Sequence, residues 1–520
     1  MEEHKGDSHI DGKLVGNDTT ERNGVKTSEE NSYGSKQKLD RYISFLPTVA
    51  FGANLQATWE SVAVSFQAGL LNGGPTSLVW GTVIAWIGSL ALAASLAEMA
   101  SMNPTVGAQY RWTSRFAPRG FGSPAFWGLL QGWITVFAWI TTCAQPAFLL
   151  GTLIQGLIVL DNDNYAYERW HGTFLAWAIF AVPIIINIFA RKLLPSLEVI
   201  GGITHIVFFI AWVVTLAALA PRSSAEFVFA TNSFGLSGWS NEGVQWCVGL
   251  LSAVFPLGGF DGVLHMSDEV KDAEKKVPMS MVLGLAINGA MSFAFMITIL
   301  FCLGDPEAAL TTPTGYPIIQ VAYGATGSKA ATIALCSFII WNGMIAMFSS
   351  LASVSRLTWA FARDNGLPFS SFFGYVHPTL RIPLNALGLV STVIVILQVI
   401  NVGSSTALFA ILGLSTIGLY LSYVLPVLFI VIAKLRGERI DYGPFKLGAA
   451  GLPINIFAVV YGIFILIWLP FPPFMPVTGT NMNYAGPIMG AVLIAAVADW
   501  FITGKRRFKV PVESQRPVDY

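Results

Sequence analysis

Apolar residues along this chain come in blocks of about twenty or more, separated by short polar segments. A helix needs about 20 such residues to cross the hydrocarbon of a bilayer, so each block predicts one transmembrane helix. Twelve spans follow. The first five are Ile43 to Leu71, Thr76 to Ala100, Phe126 to Ile158, Gly172 to Ala190 and Glu198 to Ala220. The next five are Val244 to His265, Ser280 to Leu303, Lys329 to Ser355, Leu384 to Val402 and Thr406 to Lys434. Pro453 to Met475 and Pro487 to Thr503 complete the set, and no soluble domain is left between them. The expected fold class is all-α integral membrane, with the spans filling residues 42–503, a disordered N-terminal tail over 1–41 and a C-terminal tail over 504–520.

Charge tests this count, because loops on the cytosolic side collect Lys and Arg. Of 30 basic residues, 27 fall in the tails and in the loops after even-numbered spans, leaving Arg169, Arg222 and Lys329 on the opposite side. One miscounted span would invert every later loop and destroy that bias. Both termini are therefore expected in the cytosol. The N-terminal tail has no apolar stretch, so no cleavable signal is expected.

Composition agrees: 54% of residues are hydrophobic and 12% charged, against about 25% charged in soluble domains. With 30 acidic residues balancing the 30 basic ones, no net basic field exists for a nucleic acid. The four cysteines are scattered through apolar stretches with no metal-like spacing, so neither a metal nor another cofactor is expected.

A solute crossing such a protein needs polar groups at mid-membrane, and a broken helix supplies them from its own backbone. Span 1 carries Gly52, Ala53, Asn54 and Gln56 followed by Trp59 and Glu60, and span 6 carries Pro256, Gly258 and Gly259 followed by Phe260 and Asp261. Breaks in the first and sixth spans are the mark of an inverted five-helix repeat, here about 43–220 and about 244–434, with two extra helices at about 453–503. On an unbroken 3.6-residue helix Gly52, Gln56, Trp59 and Glu60 share one face. An intramembrane carboxylate needs water, a partner or a proton, and an indole offers a cation its π face. Trp59, Glu60, Phe260 and Asp261 are thus read as a pocket for an ammonium group, with a structural hydrogen bond to a neighbouring helix the alternative for Glu60 and plain packing the alternative for the two rings. Half-helix dipoles at the breaks would also favour a carboxylate, which suits a small zwitterion.

His205 lies seven residues after Glu198, on the same face of span 5, where it is either a proton relay or a hydrogen-bonded core histidine. Glu98, Asp268, Glu269, Arg356 and Arg363 fall near the cytosolic ends of spans, as an inner gate or as ordinary solvated charges.

Ala97-Glu98-Met99-Ala100-Ser101-Met102-Asn103-Pro104-Thr105-Val106-Gly107-Ala108-Gln109-Tyr110, at the exit of span 2, resembles the signature of the amino acid, polyamine and organocation superfamily. Leu71 to Pro75, Arg169 to Thr173, Gly259 to His265 and Ser355 to Pro368 are similar to the fungal amino acid and choline transporter family within it. The resemblance implies substrate held between spans 1, 3, 6, 8 and 10 and coupling to protons. Many amino-acid-binding relatives have a GxG at the first break, where this chain has Gly52, Ala53 and Asn54. That departure shifts the expectation toward a cation such as choline or another amine.

The function expected is a secondary active permease for a small nitrogenous solute, an amino acid, γ-aminobutyrate, choline or other amine, in contact with lipid and set in the plasma or vacuolar membrane. A nutrient receptor on a transporter scaffold is the alternative. No GxxxxGK[ST], HExxH or GxSxG occurs, so neither an ATP-driven pump nor an enzyme is expected.

Overall fold

The computed structural model describes residues 43–510, apart from Ser405 and the side chain of Leu408. The expected tail over 1–41 and the last ten residues of the expected C-terminal tail lie outside the described residues. Among the described residues, eleven helices are long and apolar enough to cross a membrane. The remaining expected span, the first, is present as two shorter helices, Phe45–Gln56 and Thr58–Asn72, joined at Ala57.

Spans 2 to 5 are Gly74–Met102, Pro124–Asp161, Arg169–Phe189 and Leu194–Leu219. Span 6 covers Glu242–Glu269, span 7 Ala273–Phe301, span 8 Lys329–Arg363, span 9 Leu384–Gly403 and span 10 Ala407–Leu435. Spans 11 and 12 are Gly451–Trp468 and Ala485–Arg507. Span 11 stops short of the expected Met475 because Pro470, Pro472 and Pro473 follow it and cannot donate to a continuing helix.

Burial sorts the spans into a centre and a rim. In span 6, 89% of the apolar window is buried, with 78% in span 10 and 72% in span 3, against 22% in spans 5 and 12. The most interrupted helix is thus the most enclosed, as free backbone groups at membrane depth require. A short polar helix, Ala108–Phe116, was not expected between spans 2 and 3. It is too polar to register as a span, yet it is buried against spans 3 and 10.

Both expected breaks exist, one displaced. Span 1 turns at Ala57, whose backbone is left-handed (φ 41°), a conformation costing an L-residue about 1–2 kcal/mol. Gly52 is not at the break but inside a regular helix. A Cβ there would lie 2.9 Å from Val263 Cγ2, so this glycine lets Phe45–Gln56 approach Phe260–Glu269 closely. Span 6 breaks at Gly258 and Gly259, where Gly259 is left-handed (φ 80°). The two breaks lie side by side, Gln56 Nε2 donating to the Gly258 carbonyl at 3.4 Å. At the end of the bundle that carries most basic residues, Ile43 N donates to the Glu269 carbonyl at 3.0 Å and Lys271 N to the Ile43 carbonyl at 3.1 Å. The start of span 1 is thereby tied to the end of span 6.

Candidate functional site

Between the two breaks lies a cavity of about 70 Å³, lined by spans 1, 3, 6, 8 and 10. One water needs about 10–15 Å³ by this measure, so the space is several waters in size and suits a small solute. Span 3 contributes Thr142, Gln145 and Pro146. Pro146 sits inside the helix and has no N–H for the Thr142 carbonyl, so the wall is locally loosened where it meets the cavity.

Glu60 lines this cavity and is 3% exposed. Its Oε1 accepts from Asn342 Nδ2 at 2.7 Å and faces His205 Nδ1 at 2.8 Å. Its Oε2 has no hydrogen-bond partner. The protons around it can be assigned from the network. Asn288 Nδ2 donates to the Ala53 carbonyl at 3.1 Å and to Gln56 Oε1 at 2.9 Å. That turns Asn288 Oδ1 toward His205 Nε2, 3.2 Å away, so Nε2 carries a hydrogen. One further proton is then shared between His205 Nδ1 and Glu60 Oε1.

Asn288 also braces the break itself, since its carbonyl accepts from Thr58 Oγ1 at 3.0 Å. One residue of span 7 thus holds both halves of span 1, the first by its side chain and the second by its backbone carbonyl. Neither Asn288 nor Asn342 was anticipated from sequence, although a lone amide inside an apolar span was a signal that could have been used.

The other predicted residues divide plainly. Gln56, Gly258 and Gly259 line the cavity with Glu60. Trp59 does not: it is fully buried, donates to the His205 carbonyl at 3.0 Å and packs edge-on against Phe295. Phe260 is 1% exposed, with its ring centroid 4.7 Å from that of Tyr423. Asn54 Nδ2 is taken by span 5, donating to Glu198 Oε2 at 2.9 Å and to the Glu198 carbonyl at 2.7 Å. Ala53 presents its carbonyl to Asn288 and to Ala57 N rather than to the cavity.

Asp261 is also off the lining, and its two oxygens are filled. Tyr423 OH donates to Oδ1 at 2.5 Å, while Gln109 Nε2 and Trp139 Nε1 donate to Oδ2 at 2.6 and 2.9 Å. Tyr423 OH in turn accepts from Gly259 N at 3.0 Å. Span 10, span 3 and the short helix Ala108–Phe116 therefore converge on one carboxylate beside the second break, and the amide of that break is occupied.

Of the residues expected at a gate, Glu98, Glu269 and Arg356 form pairs at the basic end. Arg356 Nε donates to Glu269 Oε1 at 2.5 Å, joining spans 8 and 6. Glu98 Oε2 accepts from Lys434 Nζ at 2.6 Å and its Oε1 from Leu447 N at 2.9 Å, clasping span 2 to span 10 and to the segment before span 11. Arg111 Nη2 and Tyr110 OH both reach Asp364 Oδ2, at 2.8 and 2.7 Å. Burial, then the charge of Asp364, pushes the Tyr110 phenol far above its ordinary range, so it remains a donor.

Among the described residues, eleven long apolar helices and a first span split in two, with two breaks around a small, largely apolar cavity that carries a few polar groups, define a multi-pass membrane transporter. The chain belongs to the amino acid permease family, whose profile matches residues 43–494. A Macrophomina phaseolina protein, provisionally named an amino acid/polyamine transporter, is 32% identical over 84% of this chain and 96% of its own length. The choline transporter of Saccharomyces cerevisiae is 28% identical, covering 98% of this chain and 89% of that protein. The GABA-specific permease of the same yeast is 29% identical over 94% of this chain and 86% of its own length. The cargo class these relatives share is a small nitrogenous solute.

Proposed function

We propose that this chain is a secondary active permease carrying a small solute with a positively charged nitrogen, an amino acid or amine, together with protons. The observation that carries this reading is the unpartnered, buried Oε2 of Glu60, a residue on the cavity lining. A carboxylate oxygen left bare at that depth is costly unless a cation or proton arrives to meet it. Gln145, also on the lining, has an Nε2 with no partner and offers an N–H to an oxygen of the solute. The helix Thr58–Asn72 begins without a side-chain cap, so its first amides favour a carboxylate beside the ammonium.

Proton coupling follows from the shared hydrogen between Glu60 and His205. In this reading a cation at Oε2 favours the ionised carboxylate, which shifts that hydrogen onto His205 and makes His205 the carrier of the coupled proton. Glu98 with Lys434 and Arg356 with Glu269 close the basic end while the cavity is loaded. That end faces the cytosol by its charge, in the plasma membrane, with spans 5 and 12 turned to lipid.

Uptake of labelled choline, γ-aminobutyrate, neutral and basic amino acids and polyamines, with and without a protonophore, tests this directly. We expect at least one amine or amino acid to accumulate and the gradient's collapse to abolish accumulation. Unchanged accumulation without a proton gradient would remove the symport. Should Glu60→Gln leave every transported solute unaffected, the cation site is elsewhere.

A further inference from the structure

We infer that the solute is an ammonium that still bears N–H, a primary, secondary or tertiary amine such as an amino acid, and not a trimethylammonium compound. This rests on the reading of Glu60 as the cation site and goes on to decide what kind of cation fits it.

Two chemistries recognise a positively charged nitrogen, and they need different walls. A trimethylammonium group has no hydrogen to donate and is held by several aromatic faces around it. An N–H ammonium is held by acceptor oxygens placed to receive its hydrogens. Among the described residues, the cavity lining holds one aromatic ring, Phe255. The rings that would have completed a cage are committed elsewhere. Trp59 is sealed between His205, Phe209 and Phe295, with its indole N–H bonded. Phe260 is sealed against Tyr423, and Trp139 gives its N–H to Asp261.

Acceptors, by contrast, are at hand. Glu60 Oε2 lacks a donor although its neighbour Oε1 faces two. Ser61, one residue on, and Thr142 across the cavity carry hydroxyl oxygens to the same space. An N–H ammonium supplies the missing donor. A trimethylammonium would bury the same oxygen under methyl groups and leave it unsatisfied.

The test is an N-methylation series on the full-length purified protein in liposomes, reading competition against whichever labelled solute it carries. Ethanolamine is compared with its mono-, di- and trimethyl forms, and γ-aminobutyrate with its own, so that the oxygen end stays constant. We expect the last methylation, which removes the final N–H, to weaken binding by about 10- to 100-fold, the worth of one hydrogen bond to a charged group. Trimethyl compounds that compete as well as their parents, or better, overturn the inference. Repeating the series with Glu60→Gln separates the two levels. If the variant weakens every compound while the trimethyl forms are preferred in the native protein, Glu60 is still the cation site and only the N–H requirement falls. If the variant changes no compound, the cation reading falls and this inference with it.

Discussion

Glu60 and Asp261 make an instructive pair. Each follows a helix break by a few residues, Glu60 after Ala57 and Asp261 after Gly259, and each is almost fully buried. By type, depth and position they look interchangeable. Their surroundings separate them. Asp261 receives three donors, from Gln109, Trp139 and Tyr423, on three different elements. Glu60 shares one oxygen with Asn342 and His205 and leaves the other without a partner. A buried carboxylate whose lone pairs are filled stiffens what surrounds it, whereas one left short of a donor can exchange partners during transport.

Neutral substitution of each should break that comparison most sharply. In Asp261→Asn the NH₂ group must face either the N–H donors of Gln109 and Trp139 or the Tyr423 hydroxyl, which would then turn from donor to acceptor, and the buried charge is lost, so we expect a stability loss of about 3 kcal/mol. In Glu60→Gln the Oε1 can still accept from Asn342 and only the contact with His205 loses its shared hydrogen, so the expected stability loss is smaller, about 1–2 kcal/mol, while transport collapses. Thermal unfolding of the two purified variants, set beside their uptake rates, checks this. Equal destabilisation by both would erase the distinction drawn between them.

Tyr423→Phe sharpens the comparison with a smaller effect. The hydroxyl donates to Asp261 Oδ1 and accepts from Gly259 N, so its removal leaves two groups short of a partner. We expect a loss of about 2 kcal/mol, again seen in thermal unfolding, with solute affinity changed less than in Glu60→Gln because Tyr423 is not on the cavity lining. An affinity loss equal to that of Glu60→Gln would instead place Tyr423 among the groups that bind.

The same pair shows what can be read from residues alone. The spans were legible because burying twenty apolar residues leaves few other options, and the second break because Pro256, Gly258 and Gly259 are poor helix formers in a row. The first break was misplaced because alanine is the best helix former. Nothing in Ala57 itself announces a turn, which is braced from outside by Asn288. That error propagated. Grouping Gly52, Gln56, Trp59 and Glu60 on one face assumes a continuous helix, and the left-handed residue between Gln56 and Trp59 resets the phase. Gln56 and Glu60 meet at the cavity while Gly52 and Trp59 pack into protein. The filling of Asp261 was beyond reach for a different reason: its donors lie 152, 122 and 162 residues away along the chain.

The glycines of the two spans give the finest version of this contrast. Gly259 is left-handed, and a Cβ there meets nothing closer than 3.5 Å, so Gly259→Ala is opposed by backbone strain alone. We expect about 1–2 kcal/mol of destabilisation. Gly52 has ordinary helical geometry, and its added Cβ would press on Val263 Cγ2 at 2.9 Å. Alanine gains about 0.5–1 kcal/mol over glycine inside a helix, which offsets part of that overlap, so Gly52→Ala should cost less than about 1 kcal/mol. Pairing it with Val263→Ala removes the obstructing methyls, and the double variant should recover the helical gain relative to Val263→Ala alone. If Gly52→Ala remained as harmful in that background, glycine at this position would be needed for its backbone freedom, and the first break would extend further toward the start of span 1 than Ala57.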